Sequence, residues 1–239
     1  MAKGWWAAAF AFLLVCNDAI AAEPADPWQG FNRKVFAFNQ FADRWVLKPV
    51  AKGYKKITPQ FFRRGVGNFF SNLTYPLVAV NQVLQGKLGL GASDTGRFIV
   101  NTTIGIGGLF DPATRAGLPE HEEDFGQTFA KWGMGSGPFL VIPFLGPSTV
   151  RDGVGSAVNL VAQPARYLIE DERTRFAMGA LYVINTRAGL LDAEQLIGGD
   201  KYSFMRDAYL QRRDFLIHDG EVGDDDFLNE DEGTDEGHE

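Results

Sequence analysis

One stretch of the sequence places metal-ligating side chains next to one another: His121, Glu122, Glu123 and Asp124. An imidazole together with carboxylates is a donor set that zinc accepts. Adjacent residues of one loop seldom surround an ion, however, and Asp124 directly precedes a segment with helical apolar spacing. We therefore interpret this stretch as a polar turn in which Asp124 caps the next helix, and we predict no metal site.

No motif for a nucleophile or for phosphate binding is complete. Residues 135–137 (Gly-Ser-Gly) and 155–157 (Gly-Ser-Ala) lack the Gly-x-Ser-x-Gly spacing of serine hydrolases, and no strand is predicted ahead of them. Residues 105–110 break the glycine pattern of dinucleotide-binding loops at its last position. An enzyme is therefore the weaker function class, and we predict no catalytic residues and no cofactor.

The segment 132–147 is very apolar and is interrupted by glycine and proline. Its centre, 139–145, is far shorter than the roughly 20 residues that a helix needs to cross a bilayer. Pro143 removes a backbone donor and the glycines ahead of it permit turns, so we expect a short hairpin or bent loop at 133–147. Such a loop belongs in a core, against a partner or in lipid.

The first 22 residues have the features of an export signal. Lys3 supplies a positive charge, 5–15 form an apolar run, and Ala19-Ile20-Ala21 is a small-x-small cleavage site. We predict a signal peptide at 1–22, one helical domain at 23–217 and an acidic disordered tail at 218–239. No later segment reaches 18 consecutive apolar residues, so we expect any membrane contact to be interfacial.

The only cysteine, Cys16, lies within this signal. It offers a possible lipidation site, as in bacterial lipoproteins, but Val15 stands where such signals carry glycine, alanine or serine. Cleavage after Ala21 or Ala22 is the favoured interpretation, and lipidation at Cys16 is the alternative.

Charge is distributed unevenly along the chain. The net charge of -7 arises in residues 219–239, which hold eleven Asp or Glu and no Lys or Arg. The remaining residues carry 23 basic and 19 acidic groups. The tail has too little apolar content to offset the entropy of ordering, so we expect it to be disordered.

The segment 33–64 is basic and rich in aromatic residues. This pattern suits an anionic membrane surface, nucleic acid, or a solvated helix face over a Phe-rich core. An exported protein meets little nucleic acid, so we predict no nucleic-acid partner. The basic residues are Arg33, Lys34, Arg44, Lys48, Lys52, Lys55, Lys56, Arg63 and Arg64, opposed only by Asp43.

Apolar residues recur at helical spacing along the whole chain, and no segment alternates with period two, so the predicted fold class is all-α. Asp26 and Pro27 are expected to open a first helix that Pro49 ends. Pro76 is expected to divide the next helical region into two. Further helices are predicted at 87–103, after the caps Asp124 and Ser148, and at 171–187, 192–197 and 200–217.

Seven short segments, taken in order, resemble the MlaA/VacJ family of outer-membrane phospholipid-trafficking proteins across about residues 26–215. The segments are Asp26-Pro-Trp-Gln-Gly-Phe31-Asn32-Arg33, Phe36-Ala-Phe38-Asn39, Asn68-Phe-Phe-Ser-Asn72-Leu73, Asn81-Gln-Val-Leu-Gln85-Gly86, Arg97-Phe-Ile-Val-Asn101-Thr102-Thr103, Asp124-Phe-Gly-Gln127-Thr128 and Pro143-Phe-Leu-Gly-Pro147-Ser-Thr-Val-Arg151-Asp152.

This resemblance implies a ring-like, all-helical domain in the inner leaflet of the Gram-negative outer membrane, with a central amphipathic channel. It implies passage of phospholipids misplaced in the outer leaflet toward a periplasmic lipid-shuttle protein, association with a trimeric porin, and maintenance of lipid asymmetry. The family brings no catalytic residues to match here. The acidic tail and Val15 depart from its pattern.

Three sets of residues follow as candidates for such a passage. We expect the apolar run to contact lipid, the residues around it to act as hinges, and a polar set to line the channel, although buried Asn and Arg also satisfy helix ends. The expected lipid contacts are Phe139, Leu140, Val141, Ile142, Phe144 and Leu145; the hinges are Gly133, Gly135, Gly137, Pro138 and Pro143; the lining is Asn68, Asn72, Arg97, Asn101, Thr102 and Arg151. A porin-associated structural adaptor and a periplasmic phospholipid hydrolase are the alternative functions.

Overall fold

The computed structural model describes residues 26–196 and 199–220. The predicted signal peptide with Cys16, and the acidic tail from residue 221 onward, lie outside these residues. The described chain is helical apart from one two-stranded antiparallel hairpin, so the predicted fold class is confirmed. None of its helices has both the length and the apolar composition of a membrane span.

The elements are numbered in chain order. They are α1 (Gln29–Ala42), a π-helical turn (Asp43–Leu47), α2 (Lys48–Ile57), α3 (Gln60–Leu84), α4 (Leu88–Thr103), α5 (Pro112–Arg115), α6 (Phe125–Lys131), β1 (Phe139–Ile142), β2 (Gly146–Thr149), α7 (Val150–Ala162), α8 (Ala165–Leu168), α9 (Glu172–Leu190), a 3-10 turn (Ala193–Leu196) and α10 (Lys201–Ile217).

Two prolines predicted to end helices do not do so. Pro49 lies directly after the π-helical turn, and the backbone stays helical from that turn through Pro49 into α2. Pro76 lies inside α3, which continues to Leu84. The buried Tyr75 and Val78 on either side pack in the interior, and this packing outweighs the hydrogen bond that proline removes.

Side-chain caps explain where several helices begin. Asp124 accepts a hydrogen bond from the Gln127 amide at 2.9 Å, as predicted, and Asp171 caps α9 in the same way. Thr149, and not Ser148, caps α7 by accepting from the Asp152 amide. Asp26 does not cap α1, because its carboxylate instead accepts from Asn32 and Tyr202.

Helices α6 and α7 cross at two glycines, Gly126 and Gly155. A Cβ at Gly155 would lie 2.7 Å from the Gly126 Cα, a distance that real Cβ atoms do not reach. The two backbones are therefore in direct contact, and only glycine permits this approach.

The Gly155→Ala protein is expected to lose about 1–3 kcal/mol of unfolding free energy, because one methyl group must force the two helices apart. Gly179→Ala is the control, since a Cβ added to Gly179 inside α9 would meet no atom within 4 Å. That change is expected to raise stability by about 0.5–1 kcal/mol. Urea unfolding in detergent, followed by circular dichroism, measures both; equal effects would contradict the close crossing.

The described residues expose more large apolar side chains than they bury. Twelve apolar residues are buried, alongside thirteen polar or charged ones, whereas 34 large apolar side chains are exposed. A water-soluble domain normally concentrates its large apolar side chains inside. The exposed set includes Phe31, Phe38, Phe41, Trp45, Phe61, Ile104, Phe110, Phe144, Leu145, Leu168 and Phe176.

The described residues extend three positions past the predicted domain end at 217. Asp219 adopts a positive φ of 59° after α10 and forms ion pairs with Lys87 and Lys131. The first acidic residue of the predicted tail is thus attached to the start of α4 and the end of α6.

Candidate functional site

The apolar run forms a β-hairpin with one buried face and an exposed tip. Phe139 and Val141 are buried against Tyr202, so they offer no surface to a membrane, contrary to their expected role. Phe144 and Leu145 at the tip are 77% and 76% exposed. The hairpin therefore has an exposed apolar tip, while the side chains of Phe139 and Val141 on β1 are buried. Leu140 and Ile142 are half-buried.

Two asparagines of α1 hold the outer edge of β1. Asn32 donates from Nδ2 to the Phe139 carbonyl at 3.0 Å and accepts from the Val141 amide at 2.9 Å. Asn39 donates to the Ile142 carbonyl at 3.0 Å and accepts from the Phe144 amide at 2.8 Å. A carboxamide matches a backbone N–H and C=O pair, so α1 acts here as a substitute for a third strand. We call Asn32 and Asn39 the asparagine clamp.

The tip is also packed against α1. The rings of Phe38 and Phe144 meet edge to face with centroids 5.2 Å apart, and both side chains are exposed on their outer sides. Phe144 has a positive φ of 63°, which is unusual for a bulky residue and is held here by the Asn39 bond to its amide.

The predicted hinge glycines differ in conformation. Gly133 and Gly137 have φ values of 90° and 65°, which favour glycine. Gly135 is not among the residues with positive φ. The segment is tied to α7, because the Arg151 amide donates to the Ser136 carbonyl at 3.1 Å and the Val150 amide donates to the Pro138 carbonyl at 3.2 Å.

Two of the predicted lining residues, Arg97 and Asn101, belong to a hydrogen-bond network around Asp111. Arg97, 2% exposed, donates to Tyr75, to Asp111 at 2.7 Å, and to Thr114 and the Leu118 carbonyl. Asn101 donates to Asp111 and accepts from the Ala113 amide. These bonds fix the loop between α4 and α5, so we propose no lining role for Arg97 or Asn101.

The side chains of three other predicted lining residues, Asn68, Asn72 and Thr102, form fewer hydrogen bonds. Asn72 donates to the Thr102 hydroxyl at 2.9 Å, and its own Oδ1 is buried without a partner. Asn68 donates to the Leu109 carbonyl at 3.3 Å and stays partly exposed. Thr102 is exposed. These three remain candidates for polar lining.

Arg213 of α10 joins the starts of α6 and α7. It donates to both oxygens of Asp124 at 2.7 and 3.1 Å and to both oxygens of Asp152 at 2.9 and 3.1 Å. Asp152 also accepts from Arg151 and from Tyr209. Burial would raise the pKa of Asp152, but Arg213 and Arg151 beside it hold that pKa below its usual value. Arg151, a predicted lining residue, thus belongs to a buried ion network.

A second ion network joins the π-helical turn and the start of α2 to the end of α9 and the 3-10 turn. Glu194 accepts from Lys48 at 2.8 Å and from Arg187 at 2.6 Å, and Arg187 also donates to Asp43 at 2.7 and 2.8 Å. The bond from Lys48 and, next in size, the bond from Arg187 lower the pKa of Glu194 to about 2.

A depressed carboxylate pKa makes stability depend on pH in the acid range. The contribution of Glu194 is present above its ordinary value of 4.5 and is lost as the pH falls toward about 2. Unfolding free energies measured between pH 5 and pH 2 are expected to fall more steeply for the unmodified chain than for Glu194→Gln. Parallel profiles for the two proteins would contradict this pairing.

His121, the one imidazole of the candidate metal segment, bonds to Asp94. Its Nδ1 lies 2.8 Å from Oδ1 of Asp94, which is fully buried on α4. Across residues 26–196 and 199–220, no three His, Cys, Asp or Glu side chains are grouped as a metal site would require.

A family model described as MlaA lipoprotein matches residues 24–216. The chain belongs to the MlaA lipoprotein family. The seven-segment resemblance to this family is therefore confirmed.

Relatives of the MlaA family align over most of the chain. The intermembrane phospholipid transport system lipoprotein MlaA of Escherichia coli K12 is 36% identical over 204 residues, covering 83% of this chain and 80% of the relative. A Rickettsia felis protein is 39% identical over 207 residues, covering 84% and 81%.

A solved structure has a similar fold. It was presented as the structural basis for maintenance of bacterial outer membrane lipid asymmetry, and it matches with a TM-score of 0.72 and 36% sequence identity. The match covers 81% of this chain and 99% of the other.

The asparagine clamp and Arg213 were not predicted as functional residues. Asn32 and Asn39 are seven residues apart, two helical turns, on a helix that also carries four phenylalanines. This spacing of two side-chain amides on one helix face is the sequence feature that could have indicated the clamp. Nothing near Arg213 in the sequence indicates its partners, which lie 61 and 89 residues away.

Proposed function

We propose that this chain is a non-catalytic outer-membrane component of a retrograde phospholipid transport system. It removes phospholipids misplaced in the outer leaflet and so maintains lipid asymmetry. It acts from the periplasmic face, embedded in the inner leaflet, as a ring of helices around an amphipathic channel. A trimeric porin and a periplasmic lipid-shuttle protein are its proposed partners.

The observation that carries this proposal is the distribution of apolar side chains. The described residues expose 34 large apolar side chains and bury twelve apolar residues, while thirteen buried residues are polar or charged. Acyl chains remove the cost of an apolar exterior, and each buried methylene contributes about 0.8 kcal/mol. Membership of a family with a phospholipid transport lipoprotein agrees with this apolar exterior.

The hairpin tip supplies the residues for the test. Phe144 and Leu145 are exposed, and the aromatic partner of Phe144, Phe38, is exposed too, so a charged tip is expected to fold normally. In the proposed system we assign these two side chains to acyl-chain contact beside the channel.

The test measures phospholipid in the outer leaflet of cells that lack the gene and express a variant. An amine reagent that does not cross the membrane labels outer-leaflet phosphatidylethanolamine. The unmodified chain is expected to lower the amount of labelled phosphatidylethanolamine to that of normal cells. The double variant Phe144→Asp/Leu145→Asp is expected to lower it only slightly. Full restoration by the double variant would overturn the role of the tip. Failure of the unmodified chain would overturn the transport proposal.

A hydrolase is separated from a transport component by the fate of the lipid. Phospholipids incubated with the purified protein are expected to stay intact on thin-layer chromatography. Appearance of lysolipid or free fatty acid would contradict the non-catalytic assignment.

A further inference from the structure

A cleft of about 490 Å³ lies between α2 and the residues that follow α9. Its volume is within the range of small-molecule sites. Five of its six lining residues are charged, and the aliphatic parts of their side chains form much of its surface. The lining residues are Lys48, Lys52, Lys55, Leu191, Asp192 and Glu194.

The three lysines lie on one face of α2. They are separated by four and three residues, the spacing of neighbours on a helix surface. The helix is held against α9 by the fully buried Ala51, which packs with Ala188 and Leu191. The lysine row is thus fixed in position by a close contact between small side chains.

The carboxylates of the cleft orient two of the three ammonium groups. Lys48 lies 2.8 Å from Glu194, and Lys55 lies 2.7 Å from Asp192. Lys52 forms no ion pair with any residue that the structure describes. An ammonium group has three N–H donors, so the paired lysines keep donors for a ligand. Three cations against two anions give the lining a net charge of +1.

The opposite face of α2 is apolar and open. Val50 is 47% exposed and Ile57 is 80% exposed, both on the side away from the lysines. A helix with one charged and one bare apolar face lies at the boundary between acyl chains and water. Lipid headgroups occupy that boundary, so the cleft is at a suitable depth for one.

We propose that this cleft binds the headgroup of a glycerophospholipid. The phosphate accepts hydrogen bonds from Lys52, with Lys48 and Lys55 on either side of it, and a headgroup amine donates to Asp192 or Glu194. Leu191 contacts the glycerol end. The mixed charges of the lining fit a zwitterion better than a simple anion. This inference rests on the proposed transport function and names a polar binding site for its substrate.

Native mass spectrometry of the mature protein in detergent tests the site. Phosphatidylethanolamine is the probe, diacylglycerol supplies the same chains without a phosphate, and inorganic phosphate is the competitor. Lys52→Glu is expected to weaken binding of phosphatidylethanolamine about tenfold or more, because it replaces a charge-assisted bond with repulsion. Lys52→Gln is expected to give an intermediate loss.

Lys56→Glu is the matched control, since Lys56 is an exposed lysine of the same helix and does not line the cleft. It is expected to change affinity less than twofold, and diacylglycerol binding is expected to be the same in all variants. Equal losses for Lys52→Glu and Lys56→Glu would overturn the proposal. Binding of diacylglycerol as tight as that of phosphatidylethanolamine would overturn it too. Complete displacement of the lipid by millimolar phosphate would instead assign the cleft to free anions.

The outer-leaflet label distinguishes failure of this site from failure of the proposed function. If the unmodified chain restores asymmetry but Lys52→Glu binds lipid normally, the cleft is rejected and transport stands. If the unmodified chain does not restore asymmetry, transport is rejected whatever the cleft binds.

Discussion

The Arg213→Met protein is expected to lose about 3–5 kcal/mol of unfolding free energy. The side chain of Arg213 is 11% exposed and that of Asp152 is 4% exposed, so methionine leaves a carboxylate without its main partner in a site closed to water. Asp124 loses both of its bonds from Arg213 at the same time. Urea unfolding in detergent, followed by circular dichroism, measures the change.

The neighbouring residue provides a matched control. Arg212 pairs with Glu122 at 2.6 Å, but both side chains are well exposed, at 62% and 61%. Solvent screens such a pair, so Arg212→Met is expected to cost about 1 kcal/mol or less. Equal costs at 212 and 213 would show that the network does not hold α10 in place.

The Asn32→Ala protein is expected to lose about 2–4 kcal/mol, since it leaves two buried backbone groups, the Phe139 carbonyl and the Val141 amide, without partners. Asn39→Ala is expected to act locally: its bonds lie at the exposed tip, so global stability falls by about 1 kcal/mol. The amide of Phe144 then exchanges its hydrogen faster.

Hydrogen exchange with mass spectrometry separates these effects from general destabilisation. Asn68→Ala is the control, because Asn68 also bonds to a backbone carbonyl but in an exposed setting. It is expected to leave the exchange of hairpin amides unchanged. Unaltered hairpin exchange in Asn32→Ala would refute the clamp.

Local sequence rules predicted the helical fold well wherever local chemistry decides the structure. Asp124, Asp171 and Asp200 cap helices because their carboxylates reach amides two or three residues on. A short hairpin or bent loop was predicted at 133–147 because proline and glycine interrupt an apolar run. These interactions span a few residues, so the sequence displays them directly.

The predictions failed where distant packing decides the structure. Pro76 removes one bond from α3, but neighbouring helices stabilise that helix along its length. Phe139 and Val141 face Tyr202, more than 60 positions away, and alternation along β1 alone does not say which side is buried. The clamp joins residues that are 103 to 109 positions apart.

The asparagine clamp also bears on how copies of the protein behave toward one another. A short apolar strand with an unpaired outer edge is a template on which another strand can pair, and such pairing leads to aggregation. Asn32 occupies the carbonyl and amide that β1 would otherwise present. Helix α1 thereby closes the open edge of a two-stranded sheet, and the apolar tip can meet lipid without the hairpin recruiting a second chain.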